Sequence, residues 1–190
     1  MRKKIPFLLV PMMALSCALA WAQSGKELNV YFIDVEGGQS TLFVTPSGQS
    51  LVVDTGWAGA RDADRIVAVA KQAGVSQIDY LVLTHYHGDH AGGVVDLAAR
   101  IPIKTFVDHG PNVEEALGTP KNYAAYLPVR DKGQHILAEL GARLPIKGAT
   151  FQVVSAAAET IAKPLPGAGA ANPLCADFQP KDETKDPLIG

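Results

Sequence analysis

"IDYLVLTHYHGDHAGG", residues Ile78 to Gly93, sets an apolar run of strand length against three histidines and an aspartate crowded into six positions. The whole chain has five histidines, so most of its imidazoles stand at this one place. The run Ile78 to Leu83 does not alternate, as expected of a strand covered on both faces. Beyond it His85 and His87 are two apart, and an extended or loop backbone projects both to the same side. Gly88 allows a sharp turn and a close approach before Asp89 and His90. Two side chains would then face one point and two more a second point nearby. A helix would splay positions i and i+2, so the expected conformation is a loop. Neutral imidazole is the commonest zinc ligand, and aspartate is a usual oxygen ligand beside it. A loop just past the C-terminal end of a buried strand is also where α/β folds build their sites. The pattern therefore points to metal ligation by His85, His87, Asp89 and His90. The plainer alternative is a polar or pH-sensitive loop.

The segments on either side supply a frame. "LNVYFIDV" (28–35), "STLFVTP" (40–46) and "SLVVDTG" (50–56) read as three strands of a β-meander separated by glycine-rich turns. In "RDADRIVAVAKQAG" (61–74), Ile66, Val67, Val69, Ala70 and Ala73 form a stripe at helical spacing, closed by Gly74. Downstream we expect a helix over 94–100, a strand in "IKTFVDHG" (103–110), and a Tyr-rich segment (119–133) that is part helix and part loop. A hairpin is expected between "QHILA" (134–138) and "TFQVVSA" (150–156). An antiparallel start that passes into alternating strands and helices is an α/β arrangement. From Lys163 onward, proline, glycine, alanine and charge predominate, which reads as loop.

The bulk properties exclude little. A net charge of −2 over 190 residues gives no electrostatic signal for nucleic acid as a partner. Arg2-Lys3-Lys4, an apolar stretch from Ile5 to Ala20 interrupted by Pro6 and Pro11, and Ala20-Trp21-Ala22 read as a secretory signal peptide over 1–22. That implies a periplasmic or secreted protein with no membrane span after cleavage. A lipoprotein site at Cys17 is the lesser alternative. Cleavage would leave Cys175 alone, and a single thiol makes no internal disulfide.

His85-Tyr-His87-Gly-Asp89-His90 resembles the H-x-H-x-D-H motif of the metallo-β-lactamase superfamily. "IDVEGGQSTLFVTPSGQSLVVDTG" is similar to the opening of the branch related to competence-type DNA-uptake proteins, whose version reads closer to D-V-G-Q-G-D-S. Asp54-Thr55-Gly56 matches that superfamily's D-T-G turn, and "DHAGG" its loop-to-helix junction. The resemblance covers about 28–154. It implies an αββα sandwich carrying one or two Zn2+ ions, with the two leading histidines on the first and Asp89 and His90 on the second. It also implies attack by a metal-bound hydroxide on an ester, amide, thioester or phosphodiester bond of a small-molecule or phosphodiester substrate. Asp89 would orient the water, and Asp54 would hold a ligand in place by hydrogen bond.

Other residues of the superfamily pattern find no match here. After Asp89 there is no G-D step, and no histidine follows His135. His109 could reach the first metal or be a solvated turn residue, and Asp108 could be a ligand or a turn former. His135 reads as structural or surface. The expectation is the N-terminal part (26–160) of an incomplete superfamily domain, ending in a loop (161–190), with weak zinc binding and little hydrolysis. The competing reading is a non-catalytic periplasmic metal-binding or interaction module. A structural domain carrying an accidental motif is the remote third.

Overall fold

The opening strands form where apolar and β-branched residues are bounded by glycine turns. In the computed structural model, which describes residues 27–157, 159–170, 172–173 and 176–177, β1 (Asn29–Phe32), β2 (Thr41–Val44) and β3 (Ser50–Val53) make an antiparallel meander. The expected signal peptide, Cys17 and Cys175 lie outside the described residues. Helix α1 (Ala60–Gln72) follows and buries Ile66, Val67 and Ala70 of the expected stripe together with Ala63, while Val69 and Ala73 are partly buried against the same core. Its C-terminus closes as a Schellman turn: Gly74 takes φ +75°, and Val75 N–H donates to Ala70 O at 2.8 Å.

From there the sheet turns parallel. β4 (Ile78–Val82) lies parallel to β3, and β5 (Ile103–Asp108) parallel to β4. Two short helices, α2 (Gly88–Ala91) and α3 (Val94–Ala98), connect β4 to β5. The Tyr-rich segment forms α4 (Thr119–Arg130), and the chain returns through β6 (Gln134–Leu137). The result is one six-stranded sheet in the order β1-β2-β3-β4-β5-β6, a mixed α/β fold.

Strand periodicity gives the sheet two distinct faces. Leu42, Val52, Leu81 and Phe106 sit side by side in register across β2 to β5, all buried. This row packs in one core with Ile66 and Val67 of α1, Leu97 of α3 and Tyr126 and Val129 of α4. Alternate residues Leu51, Val53, Val82 and Val107 face the other way. With Leu144, Phe151 and Val153 they line an apolar cavity of about 600 Å³. A second packed sheet is not formed among the described residues; beyond β6 there is only the two-stranded pair β7 (Ser155–Ala156) and β8 (Glu159–Thr160).

The hairpin expected between 134–138 and 150–156 is corrected. Gln134–Leu137 pairs in parallel with β5, Thr105 against Gln134 through Asp108 against Leu137. The outer edge of β5 offers a row of unpaired donors and acceptors, and α4 brings the chain back to it. Gly133 makes the entry possible: a Cβ there would lie 2.8 Å from Lys104 O and 2.9 Å from the Phe106 ring. A shorter antiparallel contact forms further on, with Gly141 N–H donating to Val153 O (2.8 Å) and Leu144 N–H to Phe151 O (2.9 Å).

Candidate metal centre

The three histidines lie at the C-terminal ends of the parallel strands, where Asp54 follows β3 and His85 to His90 follow β4. Extended backbone carries the chain only to His87, whose φ of −64° and ψ of 152° cap the start of α2. Gly88 to Ala91 is one turn of helix, so the expectation of a continuous loop is corrected. The turn is driven by local hydrogen bonding, since Ala91 N–H donates to His87 O at 2.8 Å. The extended part keeps its alternation. Tyr86 points into the core, 2% exposed, with its ring centroid 4.6 Å from that of Tyr123 and its hydroxyl donating to Gly110 O. His85 and His87 point the other way, their ring centroids 4.6 Å apart. His90 reaches back from the helical turn to within 4.1 Å of His85, ring centre to ring centre.

Neighbouring turns clamp this helical turn through its backbone. Gln39 N–H donates to Asp89 O at 3.0 Å, and the Thr55 N–H and hydroxyl both donate to His90 O, at 2.7 and 2.9 Å. Gly38 permits the close approach, because a Cβ there would come 2.5 Å from Asp89 O. Trp57, about half exposed, walls the site beside Gly88.

The partners of each ring decide which nitrogen keeps its lone pair. The Asp54 carboxylate is fully buried and accepts from Thr84 N–H (2.8 Å), the Thr84 hydroxyl (2.7 Å) and His90 Nδ1–H (2.7 Å). An ionised carboxylate only accepts, so His90 carries its proton on Nδ1 and keeps the Nε2 lone pair. With its one proton given to Asp54, the Thr84 hydroxyl must accept from His85 Nδ1 at 3.0 Å. That leaves Nε2 of His85 as its lone-pair nitrogen. His87 Nε2 donates to Glu114 Oε2 at 2.8 Å, which leaves its Nδ1.

The geometry also shapes the charges. Burial, then His90 and His87, push the His85 pKa below the ordinary imidazole value of 6.5, whereas the hydrogen bond to Asp54 lifts that of His90 above it. Neutral His85 is therefore favoured by folding, and its contribution is lost as pH falls below 6.5. The contribution of His90 is present below 6.5 and lost as pH rises through its folded value. An NMR titration of the metal-free protein is expected to show His85 losing its proton at lower pH than His90. The reverse order would contradict this arrangement.

Donor type fits a divalent cation, and one pair of donors has the spacing of two ligands. Two ligands at about 2.1 Å from one tetrahedral ion lie roughly 3.4 Å apart, and His90 Nε2 and Asp89 Oδ2 are 3.6 Å apart. A closed set is not reached, however: no group of three or more His, Cys, Asp or Glu is disposed to hold one ion among the described residues.

The remaining candidates make other contacts. The His109 ring packs on Tyr86, centroids 4.9 Å apart, rather than on a histidine of the cluster. Asp108 is buried and accepts from Gly110 N–H (2.8 Å) and the Tyr126 hydroxyl (2.7 Å), which is a turn-forming role. His135 pairs with that same carboxylate at 3.0 Å. Thr84 and Glu114 escaped the sequence reading. Thr84 lay inside the motif without a distinguishing signal, and Glu114 is far from His87 along the chain.

The sequence model described as "Metallo-beta-lactamase superfamily" matches residues 34–170, more than half of the chain. The chain belongs to the metallo-beta-lactamase superfamily. Curated relatives of this superfamily member include a UPF0173 metal-dependent hydrolase of Staphylococcus saprophyticus, 36% identical over 63 residues, which are 33% of this chain and 25% of that protein. An atrochrysone carboxyl ACP thioesterase of Emericella nidulans is 38% identical over 65 residues, 34% of this chain and 21% of that one. A solved metallo-beta-lactamase of Cronobacter sakazakii aligns at 20% identity and a TM-score of 0.45, covering 66% of this chain and 49% of that one. The matched part is thus a quarter or less of either curated relative and about half of the solved structure.

Proposed function

We propose that this superfamily chain carries a zinc-dependent hydrolytic site for an ester-type bond, whether thioester, carboxylic ester or phosphodiester, in an exported protein. The observation that carries the proposal is the set of three adjoining imidazoles, each with one nitrogen tied to an acceptor and the other left with its lone pair. His85, His87, Asp89 and His90 are the residues that would hold the metal, which when bound would supply water activation and polarisation of the scissile oxygen or carbonyl. Asp89, 29% exposed at the edge of the cluster, would orient the attacking water. Asp54 and Thr84 hold the rings against rotation, and Trp57 gives the apolar side of a substrate a surface to lie on. The names of the relatives, a metal-dependent hydrolase and a thioesterase, support ester-type chemistry.

The test is zinc stoichiometry together with turnover of a p-nitrophenyl ester, a thioester and bis-p-nitrophenyl phosphate by the full chain. Retained zinc and turnover of at least one substrate are expected, both falling at least tenfold in His85→Ala and His87→Ala. Absence of zinc from the unaltered protein would overturn the site. The second reading is a non-catalytic periplasmic metal-binding or interaction module. Zinc retained without turnover would select it. Export is tested by the mass of the mature chain, expected to begin at Gln23.

A further inference from the structure

We propose that Glu114 is a positioning residue for His87: from the β5–α4 loop it fixes which imidazole nitrogen His87 offers to a cation. The inference rests on the metal-site reading above and adds a residue to it. His87 and Glu114 are 13% and 23% exposed, and their contact of 2.8 Å discriminates between two roles. Two ligands of one ion would stand roughly 3.4 Å apart, close to the 3.6 Å of Asp89 and His90. A separation of 2.8 Å is that of a charge-assisted hydrogen bond. Glu114 therefore receives the Nε2 proton and leaves Nδ1 of His87 as the donor nitrogen.

The loop is built to keep the carboxylate there. Glu114 O accepts from Asn112 Nδ2 and from the hydroxyl of buried Thr119, the first residue of α4, each at 2.6 Å. Asn122, in the same turn of α4, donates from Nδ2 to Tyr86 O at 2.9 Å, one residue before His87. The start of α4 thus grips both the backbone that carries the imidazole and the loop that carries its acceptor. Asp54 does the same for His90 from the end of β3, so two carboxylates from separate segments set two rings.

The experiment uses the full chain. In the metal-free protein, at a pH where the imidazoles are neutral, long-range ¹H–¹⁵N NMR reports each ring's tautomer. His87 is expected as the Nε2–H form, and Glu114→Ala is expected to shift it toward a mixture while His85 and His90 stay unchanged. Competition titration with Zn2+ is expected to show affinity lower by on the order of 10- to 100-fold in Glu114→Ala. Most of it should return in Glu114→Gln, whose amide oxygen still accepts. Co2+ absorption of the same intensity in the unaltered and Gln proteins would accompany this, since no ligand is lost. An unchanged His87 tautomer in Glu114→Ala overturns the proposal. So does a Gln variant as weak as the Ala variant, the result expected of a direct ligand. If the unaltered protein binds no cation, the metal-site reading fails, and the tautomer measurement still decides whether Glu114 sets the ring.

Discussion

Asp54→Ala is expected to lower unfolding free energy by about 3 kcal/mol and zinc affinity by roughly 10- to 100-fold. The carboxylate is fully buried and receives three donors, two from Thr84 and one from His90. Buried donors left without an acceptor lose on the order of 1–3 kcal/mol each, discounted here because Thr84 itself reaches solvent. A backbone cost adds to this. Asp54 sits at φ +59°, a left-handed conformation that aspartate and asparagine tolerate better than alanine. Asp54→Asn should therefore recover the conformational part and keep one acceptor oxygen, without the negative charge and second oxygen that together receive all three donors. Urea unfolding and zinc competition measure the two effects separately. A denaturation midpoint unchanged in Asp54→Ala would show that this carboxylate does not organise the site.

Gly93→Ala is expected to destabilise the protein by about 3 kcal/mol, at the upper end of what overpacking costs. The backbone at Gly93 is ordinary right-handed helix, φ −78° and ψ −4°, so no conformational argument requires glycine there. Space requires it. An added Cβ would collide with the Thr55 carbonyl oxygen and lie 3.1 Å from Thr55 C and Trp57 O, all of them backbone atoms that have no rotamer to change. Relief means moving the 55–57 turn or the start of α3, and Gly93 N–H donates to Gly56 O across that junction at 3.0 Å. Because the Thr55 N–H and hydroxyl also hold His90 O, the displacement should reach the cluster and weaken zinc binding together with stability. Gly37 is the control: it takes φ +83° with nothing near its Cβ position, so an alanine there meets backbone strain alone. Equal losses at the two positions in urea unfolding would refute the steric account.

Much of the fold was legible in one dimension. Helix α1 was readable because an amphipathic stripe ended by glycine is a local signal with one reading. The meander was readable because each strand carries its own turn chemistry. The hairpin failed for a reason of principle. Periodicity marks "QHILA" as a strand but does not say which edge it joins, and a parallel partner 29 residues earlier won over a local one. The continuous loop failed at Gly88, where hydrogen bonds back to His87 O and Gly88 O wind a single turn that four residues are too few to announce.

By itself, the sequence determined which side chains carry chemistry and roughly where they stand: three imidazoles and a carboxylate beyond a buried strand, with a D-T-G turn ahead of them. Those are matters of residue type and short spacing, set by covalent chain geometry. Only the tertiary structure decided the state of each ring. Asp54 reaches His90 from β3, and Glu114 reaches His87 from across the β5–α4 loop. For these two rings, which nitrogen keeps a lone pair depends on an acceptor far away along the chain, and only folding brings that acceptor within hydrogen-bond distance; His85 instead bonds its neighbour Thr84, which Asp54 orients.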